Sequence, residues 1–70
     1  MEASDQERRE RSAVYGGWRE VWTLEDVGEQ GRLVDRWAER NPGVVDRSAA
    51  AIAREMLELV RRSIGRHGGP

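Results

Sequence analysis

The residue types that carry most enzyme chemistry are scarce in this chain. His67 is its one histidine, and it has no cysteine. The serines, Ser4, Ser12, Ser48 and Ser63, have no base beside them that could activate a hydroxyl. Acidic pairs do occur, Glu25 with Asp26 and Asp35 with Glu39. They fall at spacings that read as helix surface, where such carboxylates are solvated charges. Gly28-x-x-Gly31 lacks the lysine and the preceding strand that a phosphate-cradling loop requires. A single histidine without thiolates cannot assemble a structural zinc site. The expectation is a non-enzyme with no catalytic residue, no cofactor, no metal and no small-molecule substrate.

What remains is the chemistry of contact. Tryptophan and arginine are enriched where proteins bind one another, and the chain has three tryptophans and twelve basic residues, all of them arginine. Trp18 and Trp22 precede the regular helical pattern. They either pack back as a cap on the core or form an interaction hot spot. Trp37 lies beside an apolar helix stripe. Together with Val34, Ile52, Met56 and Leu59, these three tryptophans are the candidate protein-interaction residues. Arg47, Arg54 and Arg61 share the solvent face of the last helix and, with Arg62, are candidate phosphate contacts. From Asn41 onward five arginines stand against three acids, while the first 40 residues are net negative.

Composition narrows the partners. The formal net charge is -1, so no global field draws the chain onto DNA or an acidic membrane. No stretch approaches the ~20 apolar residues of a membrane span, and Met1 to Ser12 lacks the apolar core of a signal peptide. The all-arginine usage fits a GC-rich genome. The expectation is a cytoplasmic protein of bacterial, phage or plasmid origin.

The elements that position these residues follow from spacing and caps. Residues 1–17 read as a flexible or frayed-helical arm: Ser4 with Glu7 offers a helix start, but there is no apolar face to dock, and Gly16-Gly17 disfavours continuation. Residues 18–24 (WREVWTL) fit either a short helical turn or a strand. Thr23 with Asp26 three residues on predicts a helix from Leu24 to about Arg40. Its stripe is Leu24, Val27, Gly31, Val34 and Ala38, widened by Leu33 and Trp37. Gly28 and Gly31 either break this helix or let a neighbour approach closely. Asn41-Pro42-Gly43 ends it.

A second helix is predicted from Asp46 to Ile64, capped by Asp46 or Ser48 and closed by Gly65. Ala49, Ile52, Met56, Leu59 and Ser63 form the centre of its stripe; Ala53, Val60 and Ile64 lie beside them and Leu57 at the edge. Residues 66–70 read as a disordered tail. The expected fold is therefore all-α, an antiparallel helical hairpin over 18–65 with a short N-terminal arm. A chain of about this size rarely builds a core worth more than about 3–5 kcal/mol. With disulfides and zinc excluded, closure is expected from a second copy, as a homodimeric four-helix bundle, or from a partner protein. The function that follows is a non-enzymatic interaction or oligomerisation adaptor.

Two family resemblances point elsewhere. From Trp18 onward the order of elements resembles a ribbon-helix-helix repressor, with WREVWT as the strand and two helices ending near Ile64. That likeness implies strands paired across a dimer to read DNA. Here Glu20 would sit in the ribbon, and Arg19 would be its one strong base reader. The segment VDRSAAAIAREMLELVRRSI resembles helical hairpins of small actinobacterial phage proteins, small terminase subunits among them. The implied alternative is a small DNA-binding regulator or a phage packaging component.

Overall fold

The computed structural model describes residues 4–18 and 23–67. These form three α-helices and no strand: α1 (Asp5–Val14), α2 (Leu24–Arg40) and α3 (Val44–His67). The fold is all-α, but with three helices where the stripe pattern predicts two. Trp22 and most of the expected ribbon, residues 19–22, lie outside the described residues.

α1 forms within the segment expected to be an arm. Ser4 caps it, its hydroxyl accepting from the Glu7 amide at 3.1 Å. It docks without a periodic apolar stripe. Ala13 and Val14, both at its C-terminal end, are buried, and Glu10 is fully buried beside them. Polar contacts to the other helices complete the docking. Arg9 donates to Glu29 of α2 at 2.5 Å, and Arg40 of α2 stands 3.4 Å from Glu10. The chain leaves α1 by a left-handed cap. Gly16 has φ +82°, and the Gly17 amide reaches back to the Ser12 carbonyl at 2.8 Å. This is the six-to-one bond of a Schellman motif. A Cβ on Gly17 would meet Ser12 Oγ at 2.6 Å and Ser12 Cβ at 2.9 Å, so this turn requires glycine twice over.

α2 occupies the range its spacing predicts. Thr23 Oγ1 accepts from the Asp26 amide at 3.0 Å, and the Asp26 carboxylate accepts from the Thr23 amide at 3.3 Å, a reciprocal capping box. The helix runs unbroken through Gly28 and Gly31. Neither expected role for these glycines is needed. A Cβ at Gly31 would meet nothing within 4 Å, and one at Gly28 only the end of the Arg32 side chain at 3.7 Å.

α3 is longer than its caps predict. It begins at Val44, ahead of both candidate caps, and the Arg47 amide already bonds to the Gly43 carbonyl at 3.0 Å. It also passes through Gly65 to His67. Gly65 does not take the positive φ of a C′ residue, so the helix has no signal to stop there, and it covers positions 66 and 67 of the segment expected to be a tail.

α2 packs against both α1 and α3, and the core lies along these two seams. It comprises Ala13, Val14, Val27, Leu33, Val34, Ala50, Ala53 and Leu57, with Trp18, Trp37, Ala38, Ala49, Val60 and Ile64 half-buried against it. Three of the eight core residues are alanine. No aromatic ring is fully buried among the described residues, which makes this a thin core for three helices.

Candidate interaction surface

α3 divides its apolar residues between two directions. At about 100° per residue, Ala50, Ala53, Leu57, Val60 and Ile64 form one line along the helix. The first three are buried and the last two half-buried. Val45, Ile52, Met56 and Leu59 form a second line, turned by about a quarter of a circle. Their exposures are 76%, 58%, 50% and 62%. The spacing alone makes Ile52, Met56 and Leu59 the centre of the stripe and Leu57 its edge. The structure reverses this: α2 packs on the edge, and the centre faces outward.

On the α2 side the outward line is bordered by half-buried Ala49 and Val60, and on the other side by charged or small residues. Ser48, Glu55 and Arg62 flank it on the side away from α2, seven residues apart in turn. Beyond them Glu58 accepts from Arg61 twice, at 2.6 and 3.1 Å, and lies 3.6 Å from Arg62. The Arg61 guanidinium, first of all by its hydrogen bond, holds the Glu58 carboxyl below the usual range. Glu58 is thus fully committed to the helix surface. The i, i+4 pair of Glu58 with Arg62 follows from spacing, whereas Arg54 crosses to Asp35 of α2 instead of joining Glu58.

Of the other expected interaction residues, Val34, Trp18 and Trp37 turn inward, and Trp22 lies outside the described residues. Val34 is fully buried in the chain's own core and is not a contact residue for a partner. Trp18 packs half-buried against the core, its indole N–H donating to the Ala13 carbonyl at 2.6 Å. Trp18 thus packs back on the core of its own chain. Trp37 is half-buried too, and its Nε1 donates to Asp46 Oδ1 at 3.0 Å.

Asp46 is the junction of all three helices. The same carboxylate oxygen accepts from the Tyr15 hydroxyl at the end of α1 and from Trp37 of α2, while Asp46 itself sits in the first turn of α3. The rings of Tyr15 and Trp37 meet edge to face, 6.4 Å apart at 87°. The hydrogen bond to Asp46 raises the Tyr15 pKa, and the Tyr15 and Trp37 donors together lower that of Asp46. Sequence spacing gave no sign of this group, because its members come from three elements 9 to 31 residues apart.

Of the candidate phosphate contacts, Arg54 pairs with Asp35, Arg61 with Glu58, and Arg62 more loosely with Glu58. Arg47 forms no ion pair among the described residues. No group of three or more potential metal ligands occurs among the described residues, and no described helix is long and apolar enough to cross a membrane. No protein-family model matches this chain, and neither a curated protein nor a solved structure matches it.

Proposed function

We propose that this chain is a small non-enzymatic interaction protein, an adaptor or oligomerisation module, whose contact surface is the outward face of α3. One observation carries the reading. Val45, Ile52, Met56 and Leu59 are each at least half exposed, on one line of one helix. Scattered apolar residues on a surface are ordinary, but a contiguous line is the mark of a contact site. Burying a whole side chain of this size is worth about 1.5–3 kcal/mol. Covering the exposed halves therefore gains about 1 kcal/mol each, a large addition to so thin a core.

The alternative, a DNA-binding regulator or packaging component, draws less support. Three of its four candidate arginines already engage carboxylates of their own chain. Breaking those pairs would offset part of any gain from phosphate.

The test is a photo-crosslinking residue placed at Ile52 in the full chain and expressed in the source cell, with the same residue at Arg47 as a control. A discrete adduct at position 52, absent at 47 and abolished by Leu59→Asp, is the expected result. No adduct at position 52, or equal adducts at both positions, would overturn the reading.

A further inference from the structure

We infer that the occupant of this face is a second copy of the chain, its α3 lying antiparallel to the first with Glu55 of each copy against Arg62 of the other. The inference rests on the reading of the α3 face as an interface and adds the partner and the register. A two-fold interface must be complementary to itself, because each residue on one copy meets its counterpart's neighbour on the other. The outward line of α3 meets that demand. Ile52, Met56, Leu59 and Ser63 recur at spacings of four, three and four, the knobs of an antiparallel helix pair. Setting Met56 against Leu59 of the second copy also sets Ile52 against Ser63, a large residue on a small one. The layers then repeat symmetrically about the axis.

Charge selects this register. Glu55 and Arg62 lie on the same flank of the line, seven residues apart. In the antiparallel pairing just described, each Glu55 faces the other copy's Arg62, which gives two equivalent ion pairs. Sliding the copies by one heptad toward their N-termini would set Glu55 against Glu55 across the axis. Both groups are available. Glu55 forms no ion pair among the described residues, and Arg62 makes only the 3.6 Å contact to a Glu58 that Arg61 already satisfies. The pairing leaves α2 of both copies on the same side of the α3 pair, so that α2 and α3 of each copy complete a four-helix arrangement.

The experiment is sedimentation equilibrium of the full chain at micromolar concentration, with helicity checked by circular dichroism. The wild type is expected at twice the 8.0 kDa chain mass. Glu55→Arg and Arg62→Glu should each weaken the dimer roughly ten-fold, by replacing two attractive pairs with two repulsive ones. An equimolar mixture of the two variants should recover wild-type affinity or better, since both flanking pairs are then complementary between copies. A wild type that stays monomeric, single variants that dimerise as the wild type does, or a mixture that fails to recover would each overturn the inference. The crosslink at Ile52 separates this failure from that of the broader reading. An adduct of a mass other than two chains leaves the face an interface and removes the second copy, whereas no adduct removes both.

Discussion

Met56 and Leu57 are consecutive in the chain and have opposite fates: Met56 is half exposed and Leu57 only 4% exposed. Two large apolar residues one step apart on a helix cannot face the same neighbour. α2 takes Leu57 and leaves Met56 outside, and this choice creates the candidate interface.

The two lines of α3 should therefore respond differently to mutation. Leu57→Ala removes buried methyl groups from a thin core and is expected to cost about 2–4 kcal/mol in urea unfolding. Leu59→Ala should change the stability of the isolated monomer by no more than about 0.5 kcal/mol. Its effect should appear instead in the concentration dependence of unfolding, because the association that Leu59 supports stabilises the folded chain by mass action.

The glycines divide in the same way. Gly31→Ala places a methyl group in open space within a continuous helix, and should stabilise by about 0.5–1 kcal/mol. Gly16→Ala forces a side chain into the left-handed region and should destabilise by about 1–2 kcal/mol. Thermal unfolding of the two variants beside wild type checks both signs.

The Asp46 junction should set a pH window. The Asp46 pKa is lowered in the folded chain. Its contribution is therefore present above the unfolded carboxyl value of about 3.9 and is lost as pH falls through the lower folded one. The Tyr15 pKa is raised, so its contribution is fully present below about 10 and is lost as pH climbs through the folded value. Ultraviolet titration should show Tyr15 ionising later than a free tyrosine. In Asp46→Asn that delay should vanish and the acid-side dependence should shrink; an unchanged titration would contradict the shared hydrogen bond.

Glu10 offers a further check. Its Oε2 accepts from Gln6 at 2.9 Å, but its Oε1 is buried with no hydrogen bond, and the Arg40 guanidinium 3.4 Å away is its only balancing charge among the described residues. Arg40→Ala should cost about 1–3 kcal/mol by leaving that carboxylate unbalanced. Glu10→Leu removes the charge along with its need for a partner and should cost less than Arg40→Ala in denaturant unfolding.

What could be read from the sequence follows the range of the interaction concerned. The start of α2 was legible, since Thr23 and Asp26 form its capping box within four residues. The stop after α1 was also legible, because Gly16-Gly17 signals it locally. α1 as a docked helix was not, because it is held by Glu10, Arg9 and Tyr15 reaching other elements rather than by a repeating stripe. For α3 the periodicity located the apolar arc but could not say which part of it α2 would cover. Ile52, Met56 and Leu59 were expected at an interface and are exposed, whereas Val34 was expected beside them and lies in the core. Gly65 does not end α3 because a glycine caps a helix by adopting positive φ, and here it does not.

The most direct measurement is the peroxide oxidation rate of Met56, followed by peptide mass analysis, relative to free methionine. Half of this side chain stands open in the single chain, so at nanomolar concentration it should oxidise readily. If the outward face of α3 is an interface, the rate should fall several-fold as the protein is concentrated into the micromolar range or studied in extract of the source cell. A Met56 that oxidises at one unchanged rate under all these conditions would contradict the account.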